Sequence, residues 1–194
     1  MKNDLTFSYT LTEKEKQSSY KSIVVWFFGL SGSGKSTLCN SIEQSLFQNN
    51  IKTVVLDGDS LRNGLNKDLD FSKEDRIENL RRVSEISKIL NKSGLLTLCS
   101  FITPFEKNRS LINSIIGRKN IFWIFVDTPI EECIKRDTKG LYKKAIKGEI
   151  KNFTGISSPF ENPEYCDFRV ENNKNIDDST REITSRILSK IKIK

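Results

Sequence analysis

Eight consecutive residues, Gly29 to Ser36, match the phosphate-binding loop pattern G-x-x-x-x-G-K-[ST] in full. An apolar, β-prone run precedes them and a run with helical spacing follows, which is the strand–loop–helix context that the motif requires. The glycines allow backbone N–H groups to curl around a phosphate, and the helix N-terminus adds the positive end of its dipole. Lys35 can reach the β- and γ-phosphates, and the Ser36 hydroxyl can bind Mg²⁺. The sequence therefore predicts a nucleoside triphosphate site.

Two carboxylates and an arginine follow the second predicted strand, in the run Leu56-Asp57-Gly58-Asp59-Ser60-Leu61-Arg62. Ligands of parallel α/β sheets bind outside the carboxyl ends of the strands. One aspartate can hold Mg²⁺ while the other orients an attacking hydroxyl and accepts its proton. Asp-Gly is also a common turn dipeptide, but beside a triphosphate loop the catalytic interpretation is favoured. The combination suits a kinase.

Three further segments lie where a site is expected. Arg76 and Asn79 are three residues apart, so on one helix face they could grip a phosphate or sulfate and a sugar or base edge. Spacing alone favours a solvated charged face. The third predicted strand ends at Ser100-Phe101-Ile102-Thr103-Pro104, which presents a hydroxyl before a proline turn. The fourth ends at Asp127-Thr128-Pro129, a helix entry that we interpret as structural.

Strand and helix patterns alternate after residue 22. This predicts an α/β protein of the three-layer, P-loop nucleoside triphosphate hydrolase type, with a mainly parallel sheet flanked by helices and a basic lid. The predicted strands are 23–28, 53–56, 95–100, 121–126 and 168–170, and the predicted helices are 36–48, 73–91, 106–116, 130–136 and 179–191. Ser72 followed by Asp75 is typical of a helix N-cap, and Gly94 of a helix stop.

The chain divides into a predicted arm, residues 1–22, and one predicted kinase domain, residues 23–194. The arm is polar and shows no clear core face, so it either docks on a partner subunit or is a mobile terminus. Within the domain, residues 138–163 have no strand pattern and are rich in Lys, Gly and Pro. A loop of this length in a compact domain is usually a functional lid or a disordered segment. Seven basic and two acidic residues between 135 and 151 make its beginning positive.

Composition excludes several classes of function. No apolar run reaches membrane length and no N-terminal leader pattern is present, so we expect a cytoplasmic protein with no membrane partner. The four cysteines are scattered and histidine is absent. We therefore expect buried thiols in a reducing compartment, no zinc site and no imidazole chemistry. The net charge of +7 fits small anionic substrates as well as nucleic acid. Because no aromatic-interleaved basic stripe is present, we expect no nucleic-acid partner.

Several segments, taken in order, closely resemble the adenylylsulfate kinase (APS kinase) family. They are Gly29–Thr37, Asp57–Asp59, Gly64–Leu69, Phe71–Asn79, Phe101–Pro104, Lys139–Lys144 and Gly148–Ile156. The resemblance runs from about Phe7 to Pro163, and generic P-loop kinases lack its last two segments. Family members use ATP to phosphorylate the 3′-hydroxyl of adenosine 5′-phosphosulfate (APS), giving PAPS for sulfate activation and assimilation. The resemblance implies a homodimer, and a sulfurylase as a further candidate partner.

The resemblance also implies a role for each matching residue. ATP would be held by Gly29, Leu30, Ser31, Gly32, Ser33, Gly34, Lys35, Ser36 and Thr37, with Arg136 against its base. Mg²⁺ would be positioned by Ser36, Asp57 and Asp59. Lys35, Asp57 and Asp59 would be catalytic, with Asp59 receiving the 3′-hydroxyl proton. APS would be held by Asp59, Arg62, Phe71, Arg76, Asn79, Ile102, Lys139, Phe153 and Thr154. Phe71 and Phe153, two otherwise exposed aromatics, would sandwich the adenine, while Lys139 would close the lid over the phosphates.

Some positions depart from the family pattern. Ser60 stands where Asn is usual, Asn63 replaces a His, Asp70 replaces a Gly, and Phe28 replaces a Thr. Thr103 stands where many members have a serine described as a phosphorylated intermediate. Threonine keeps the hydroxyl, but direct transfer within a ternary complex needs no such intermediate.

Two alternative functions stay open at this point. The first is a kinase on the same scaffold that acts on a different small nucleotide, because Ser60 and Asn63 lie beside Arg62. The second is a nucleotide-binding partner of a sulfurylase without turnover. Intact catalytic elements, including Lys35 and Lys139, argue against the second.

Overall fold

The computed structural model describes residues 9–171 and 175–193. These residues include a five-stranded sheet in the order β2-β3-β1-β4-β5, in which every neighbouring pair is parallel. The strands are β1 (Val24–Phe28), β2 (Thr53–Asp57), β3 (Leu96–Ser100), β4 (Ile121–Asp127) and β5 (Phe168–Glu171). The predicted α/β class is confirmed, and each predicted strand end agrees with the structure to about one residue.

The helices connect the strands and cover the sheet. They are α1 (Leu11–Ser18), α2 (Lys35–Gln48), α3 (Gly58–Arg62), α4 (Lys73–Lys92), α5 (Glu106–Ile116), α6 (Ile130–Arg136), α7 (Leu141–Ile146) and α8 (Ile176–Ile191), with a 3₁₀ turn at Arg118–Asn120. The Ser72 hydroxyl accepts the Asp75 N–H at 3.1 Å, which confirms the predicted cap of α4. In the ranges 9–171 and 175–193, no helix combines the length and apolarity needed to cross a bilayer.

Two cores, one on each face of the sheet, explain the apolar central strand. Along β1, Val25 and Phe27 belong to the core that packs against α2 and α8. Val24, Trp26 and Phe28 belong to the core that packs against α4 and α5. A parallel strand covered on both faces is apolar at every position, and all five residues of β1 are buried. The sheet therefore gives rigid support to the loops at its carboxyl edge.

The predicted arm contains helix α1, which the sequence pattern did not predict. A capping box starts it, because the Thr10 side chain accepts the Glu13 N–H and the Glu13 carboxylate accepts the Thr10 N–H at 2.7 Å. No residue of α1 is buried, so apolar spacing carries no signal for it. The helix is joined to the domain through Glu15, which accepts the Ser22 N–H at 2.8 Å, and through buried Tyr20. Residues 1–8 of the arm, residues 172–174 and residue 194 lie outside the described residues.

The predicted lid segment, residues 138–163, is not a simple loop. It contains α7, and it packs its own small core of Tyr142, Ala145 and Phe153 against Cys133 of α6. We call this set the lid core. Both α3 and α7 are only five to six residues long, which is too short for a reliable periodic pattern.

Candidate active site

The phosphate-binding loop lies between β1 and the N-terminus of α2, as predicted. Gly29 has φ 149°, and a Cβ atom there would lie 2.5 Å from the Val126 carbonyl oxygen, so the position requires glycine. The Gly29 N–H donates to the Ile102 carbonyl at 3.3 Å, which ties the loop to the turn after β3. Gly34, with φ 99°, is the N-cap of α2. The loop therefore presents a helix N-terminus to any phosphate it binds.

Lys35 is buried inside this loop, with only 8% of its surface exposed. Its Nζ donates to the Leu30 carbonyl at 2.6 Å. Burial lowers the pKa of Lys35 to about 8, because desolvation disfavours the charged form. Thr37 is exposed in the first turn of α2, and the Arg136 guanidinium lies near Gly34. The predicted ATP-contacting residues thus surround one loop.

Three oxygen-bearing side chains meet where α2 begins and where β2 and β3 end. The Ser36 hydroxyl donates to Asp57 Oδ2 at 2.9 Å and lies 3.2 Å from Ser100 Oγ. Asp57 also accepts the Asp59 N–H at 3.0 Å and so caps α3. The turn and the functional interpretations of Asp57 are therefore compatible. Ser100 was not predicted, although its position as the last residue of β3, directly beside Asp57 in the sheet register, was the available signal.

The second carboxylate, Asp59, forms an ion pair with Lys139 of the lid segment. Both side chains are exposed, at 70% and 57%. An exposed ion pair contributes little to stability. What matters here is the position that the pair gives to its two side chains. It brings the predicted proton acceptor and the predicted phosphate-contacting lysine together, although they are separated by 80 residues in the chain.

Arg62 and Phe71 form an exposed cation–π pair next to this carboxylate. The Arg62 guanidinium lies 4.3 Å from the ring centroid of Phe71, and Phe71 is 54% exposed. Arg62 also donates to the Asp70 carbonyl at 3.1 Å. Partial burial lowers the pKa of the Arg62 guanidinium, because desolvation disfavours its charged form. The exposed Phe71 ring and the Arg62 guanidinium are therefore available to a ligand, and the binding role of Phe71 stays a prediction.

Arg76 and Asn79 do not lie on a solvated helix face, so that simpler interpretation is wrong. The Arg76 guanidinium donates to the Phe71 carbonyl at 3.0 Å and to the Thr154 hydroxyl of the lid at 3.2 Å. Asn79 is 5% exposed, and its Oδ1 accepts from Asn66 Nδ2 at 2.9 Å. The N-terminal half of α4 is thus held between the loop after α3 and the lid.

The expectation that Phe153 is exposed is wrong. Only 8% of Phe153 is exposed, because its ring fills the lid core and meets Tyr142 edge to face at 5.0 Å between centroids. Polar sequence neighbours suggested exposure, but the ring packs with Cys133 of α6 and with Tyr142 and Ala145 of α7. The sandwich of an adenine between Phe71 and Phe153 remains a prediction.

The hydroxyl of Thr103 is not presented to solvent, which corrects the expectation from its place before a proline turn. Thr103 is 1% exposed, and its Oγ1 accepts the Trp26 indole N–H at 3.0 Å. Its φ of 45° is unusual for a β-branched residue. Buried Arg109 donates to the Thr103 carbonyl and to the Glu161 carbonyl, each at 3.1 Å. These bonds fix the loop that carries Ile102 and join it to the end of the lid.

Two cavities adjoin the phosphate-binding loop. The smaller, about 160 Å³, is lined by Ser33, Gly34 and Arg136 together with residues of β5 and α8, so it borders the predicted ATP site. The larger, about 640 Å³, lies beyond β4 and is lined by Leu30, Ile130 and Phe160 among others. Leu30 is its only lining residue that belongs to the predicted site.

The fold and this constellation define a kinase of the phosphate-binding-loop class. Comparison with known proteins gives the family. The adenylylsulphate kinase family model matches residues 21–171. The adenylyl-sulfate kinase of Bacteroides thetaiotaomicron is 45% identical over 186 residues, which cover 95% of this chain and 92% of that protein. The chain therefore belongs to the adenylylsulphate kinase family.

Two further relatives bear on the site and on partners. The APS kinase CysC of Mycobacterium tuberculosis, solved in complex with AMPPNP and APS, is 44% identical with a TM-score of 0.81, covering 87% of this chain and 98% of that one. The bifunctional enzyme NodQ of Rhizobium tropici is 52% identical over 144 residues, which are 74% of this chain and 23% of NodQ.

Proposed function

We propose that the protein transfers the γ-phosphoryl group of ATP to the 3′-hydroxyl of APS, giving PAPS and ADP. The observation that carries this proposal is the meeting of a complete triphosphate loop with Asp59, Lys139 and the Arg62–Phe71 pair at one edge of the sheet. A solved family member of 44% identity that binds AMPPNP and APS supports the choice of both substrates.

In the proposed mechanism, this chain positions two nucleotides and moves one proton. Backbone N–H groups of the loop and Lys35 neutralise charge on the transferred phosphoryl group, which is the main requirement of phosphoryl transfer. Asp59 is exposed and can accept the proton of the attacking hydroxyl. Lys139, which contacts Asp59, would stabilise the negative charge on the phosphoryl oxygens during transfer.

The residues present fit a bound Mg²⁺. The Ser36 hydroxyl lies within hydrogen-bonding distance of both Asp57 Oδ2 and Ser100 Oγ, so three hard oxygen atoms are close together. Mg²⁺ is normally held by one or two such groups, water and substrate phosphates. Ser36 and Asp57 would hold the ion, with Asp59 as a further candidate. When bound, Mg²⁺ neutralises phosphate charge during transfer.

The Arg62 and Arg76 guanidinium groups and the Phe71 ring best fit a substrate that has an aromatic base and a second anionic group. Arg62 and Arg76 lie over the same ring, at 4.3 and 5.8 Å from its centroid. Arg76 and Asn79 would hold the phosphosulfate and the sugar, with Phe71 and Phe153 about the adenine. Ser60 and Asn63 are exposed beside Arg62, which is the observation that keeps a different small nucleotide as the second candidate substrate.

The test is ADP release from ATP–Mg²⁺ with and without APS, compared with a panel of other 3′-hydroxyl nucleotides. We expect strong stimulation by APS, with PAPS formed in equal amount. Stimulation by another nucleotide instead would assign the substrate to the second candidate. ATP binding with no stimulation by any nucleotide would identify a binding protein without turnover.

We further propose a homodimer that acts in the cytoplasm beside a sulfurylase. The cytoplasm fits the free thiols Cys39, Cys99 and Cys133, which are all buried. A relative described as bifunctional, of which this chain covers 23%, supports a second enzyme as partner. Sedimentation of the purified protein, alone and with a sulfurylase, tests the dimer and the partner separately.

A further inference from the structure

A phosphate-binding loop works only if its peptide units are turned the right way. In a trans peptide unit the N–H and the preceding C=O point in opposite directions. An N–H that faces a phosphate therefore requires the carbonyl of the same unit to face the protein. Gly32 and Gly34 have φ of 71° and 99°, and glycine tolerates either orientation of its flanking peptides. Contacts from outside the loop are therefore needed to fix the orientation of these peptide units.

Two side chains outside the loop bind its carbonyl groups. The Tyr142 hydroxyl donates to the Ser31 carbonyl at 2.9 Å, and the Thr128 hydroxyl donates to the Ser33 carbonyl at 2.9 Å. The amide partners in these two peptide units are the N–H groups of Gly32 and Gly34. The two donors therefore hold the Ser31 and Ser33 carbonyls toward Tyr142 and Thr128. The Gly32 and Gly34 N–H groups then point in the opposite direction, away from these two side chains.

Both donors are buried. Thr128 is 5% exposed and lies directly after β4, while Tyr142 is 1% exposed in the lid core. The first turn of α7 is fixed by Asp137, whose carboxylate oxygens accept the N–H groups of Tyr142 and Lys143 at 2.9 and 3.0 Å. The Tyr142 ring also packs on Phe153. Tyr142 therefore joins the lid to the triphosphate loop through one hydrogen bond.

We propose that Tyr142 and Thr128 are positioning residues, which orient the Gly32 and Gly34 N–H groups toward the triphosphate of ATP, and that Tyr142 couples the lid to that loop. This inference rests on the nucleotide-binding half of the proposed function and not on the identity of the second substrate. Neither residue is assigned a contact with the reacting atoms. Their effect is on the geometry of the anion site.

The chain offers matched pairs of variants. Tyr142→Phe removes the hydroxyl and keeps the ring against Phe153. Tyr20→Phe is its control, because Tyr20 is also buried and its hydroxyl is bonded to the Lys52 backbone, but it lies in the sheet core that packs against α2 and α8. Thr128→Val removes the second donor, and Thr128→Ser restores it. Thr97→Val is its control, since Thr97 is buried and its hydroxyl has no hydrogen-bond partner among residues 9–171 and 175–193.

The dissociation constant of ATP–Mg²⁺ and the melting temperature are measured for all five variants. We expect Tyr142→Phe and Thr128→Val each to weaken ATP binding roughly tenfold, the scale for leaving a buried carbonyl unpaired. Tyr20→Phe and Thr97→Val should bind as the unaltered protein does, and Thr128→Ser should recover most of the affinity. For Tyr142→Phe we expect the KM for ATP to rise while the KM for the second substrate stays within about twofold, since the ring is kept.

Tyr142→Phe and Thr128→Val binding ATP as tightly as their controls would overturn the inference. Equal losses of ATP affinity in Tyr20→Phe and Tyr142→Phe would also overturn it, because the effect would then be general destabilisation. Failure of the unaltered protein to bind ATP would instead contradict the proposed function. Binding without turnover would leave this test intact, since its main readout is affinity.

Discussion

At the scale of single residues, two oxygen-bearing side chains with similar sequence settings have opposite environments. Asp59 is exposed and paired with Lys139, whereas the Thr103 hydroxyl is buried and bonded to an indole. Only the first can exchange a proton with a bound substrate. Removing the Asp59 carboxylate should therefore lower turnover, whereas removing the Thr103 hydroxyl should leave turnover nearly unchanged.

Asp59→Asn should lower kcat at least about a hundredfold, the usual scale for losing a general base, with ATP affinity largely kept. The measurement is PAPS formation, with ATP affinity determined in parallel by calorimetry. Asp178→Asn is the control, because Asp178 is also an exposed, ion-paired aspartate but lies on α8. Near-normal turnover of Asp59→Asn would remove Asp59 from the mechanism.

Thr103→Val should keep kcat within about threefold, because removing the hydroxyl takes away no group that touches the substrates in this mechanism. It should lower the unfolding free energy by about 1–3 kcal/mol, since the buried Trp26 N–H loses its acceptor. Turnover and urea denaturation measure the two effects. A loss of turnover approaching that of Asp59→Asn would revive a phosphorylated intermediate at Thr103.

At the scale of elements, α4 and the lid supply the second-substrate side of the site. The Arg76–Thr154 bond joins them. Phe71, before α4, is an exposed ring, while Phe153 is part of the lid core. The two aromatic residues should therefore differ in what their loss changes, although both are predicted to stack on the same adenine.

Phe71→Ala should raise the KM for APS at least about fivefold, the scale of one base–aromatic stack, with little change in melting temperature. Phe153→Ala should raise that KM and also lower the unfolding free energy by about 3–5 kcal/mol, because it empties a buried site. Phe47→Ala, on an exposed ring of α2, controls for loss of an aromatic residue. An unchanged KM in both site variants would contradict the stacking assignment.

At the scale of the whole molecule, the two sheet cores and the lid core enclose three of the four thiols. Cys39, Cys99 and Cys133 are buried, and Cys166 is partly exposed. Burial raises the pKa of the Cys99 thiol to about 12 and also raises that of Cys39. Since the thiolate is the reactive form, the folded protein should expose one usable thiol.

Labelling with a chromogenic disulfide at pH 8 should therefore modify Cys166 alone in the folded protein, and all four thiols in denaturant. Labelling of Cys99 should occur only as fast as the protein unfolds. Mass spectrometry of the digested protein identifies the sites, and Cys166→Ser should abolish the reaction of the folded form. Rapid reaction of Cys39 or Cys99 without denaturant would contradict the packing of the two cores.

Local order was predictable from the sequence where it depends on local pattern. The five strands, the loop Gly29–Ser36 and the Ser72 cap of α4 all follow from residue types at short spacing, since hydrophobic period and backbone geometry act over a few residues. The family followed from the same kind of ordered motif. Helix α1 was missed because it buries no side chain, so its stability comes from caps that carry little periodic signal.

Burial and pairing between distant residues were decided only by the tertiary structure. The sequence alone determined that the chain is an α/β protein with a triphosphate loop, an acidic pair and a basic lid. It did not determine that Phe153 and Thr103 are buried, that Asp59 meets Lys139, or that Tyr142 holds the loop. These depend on contacts across 80 or more residues for Asp59 and Tyr142, and such contacts are created by packing of the whole sheet rather than by local propensity.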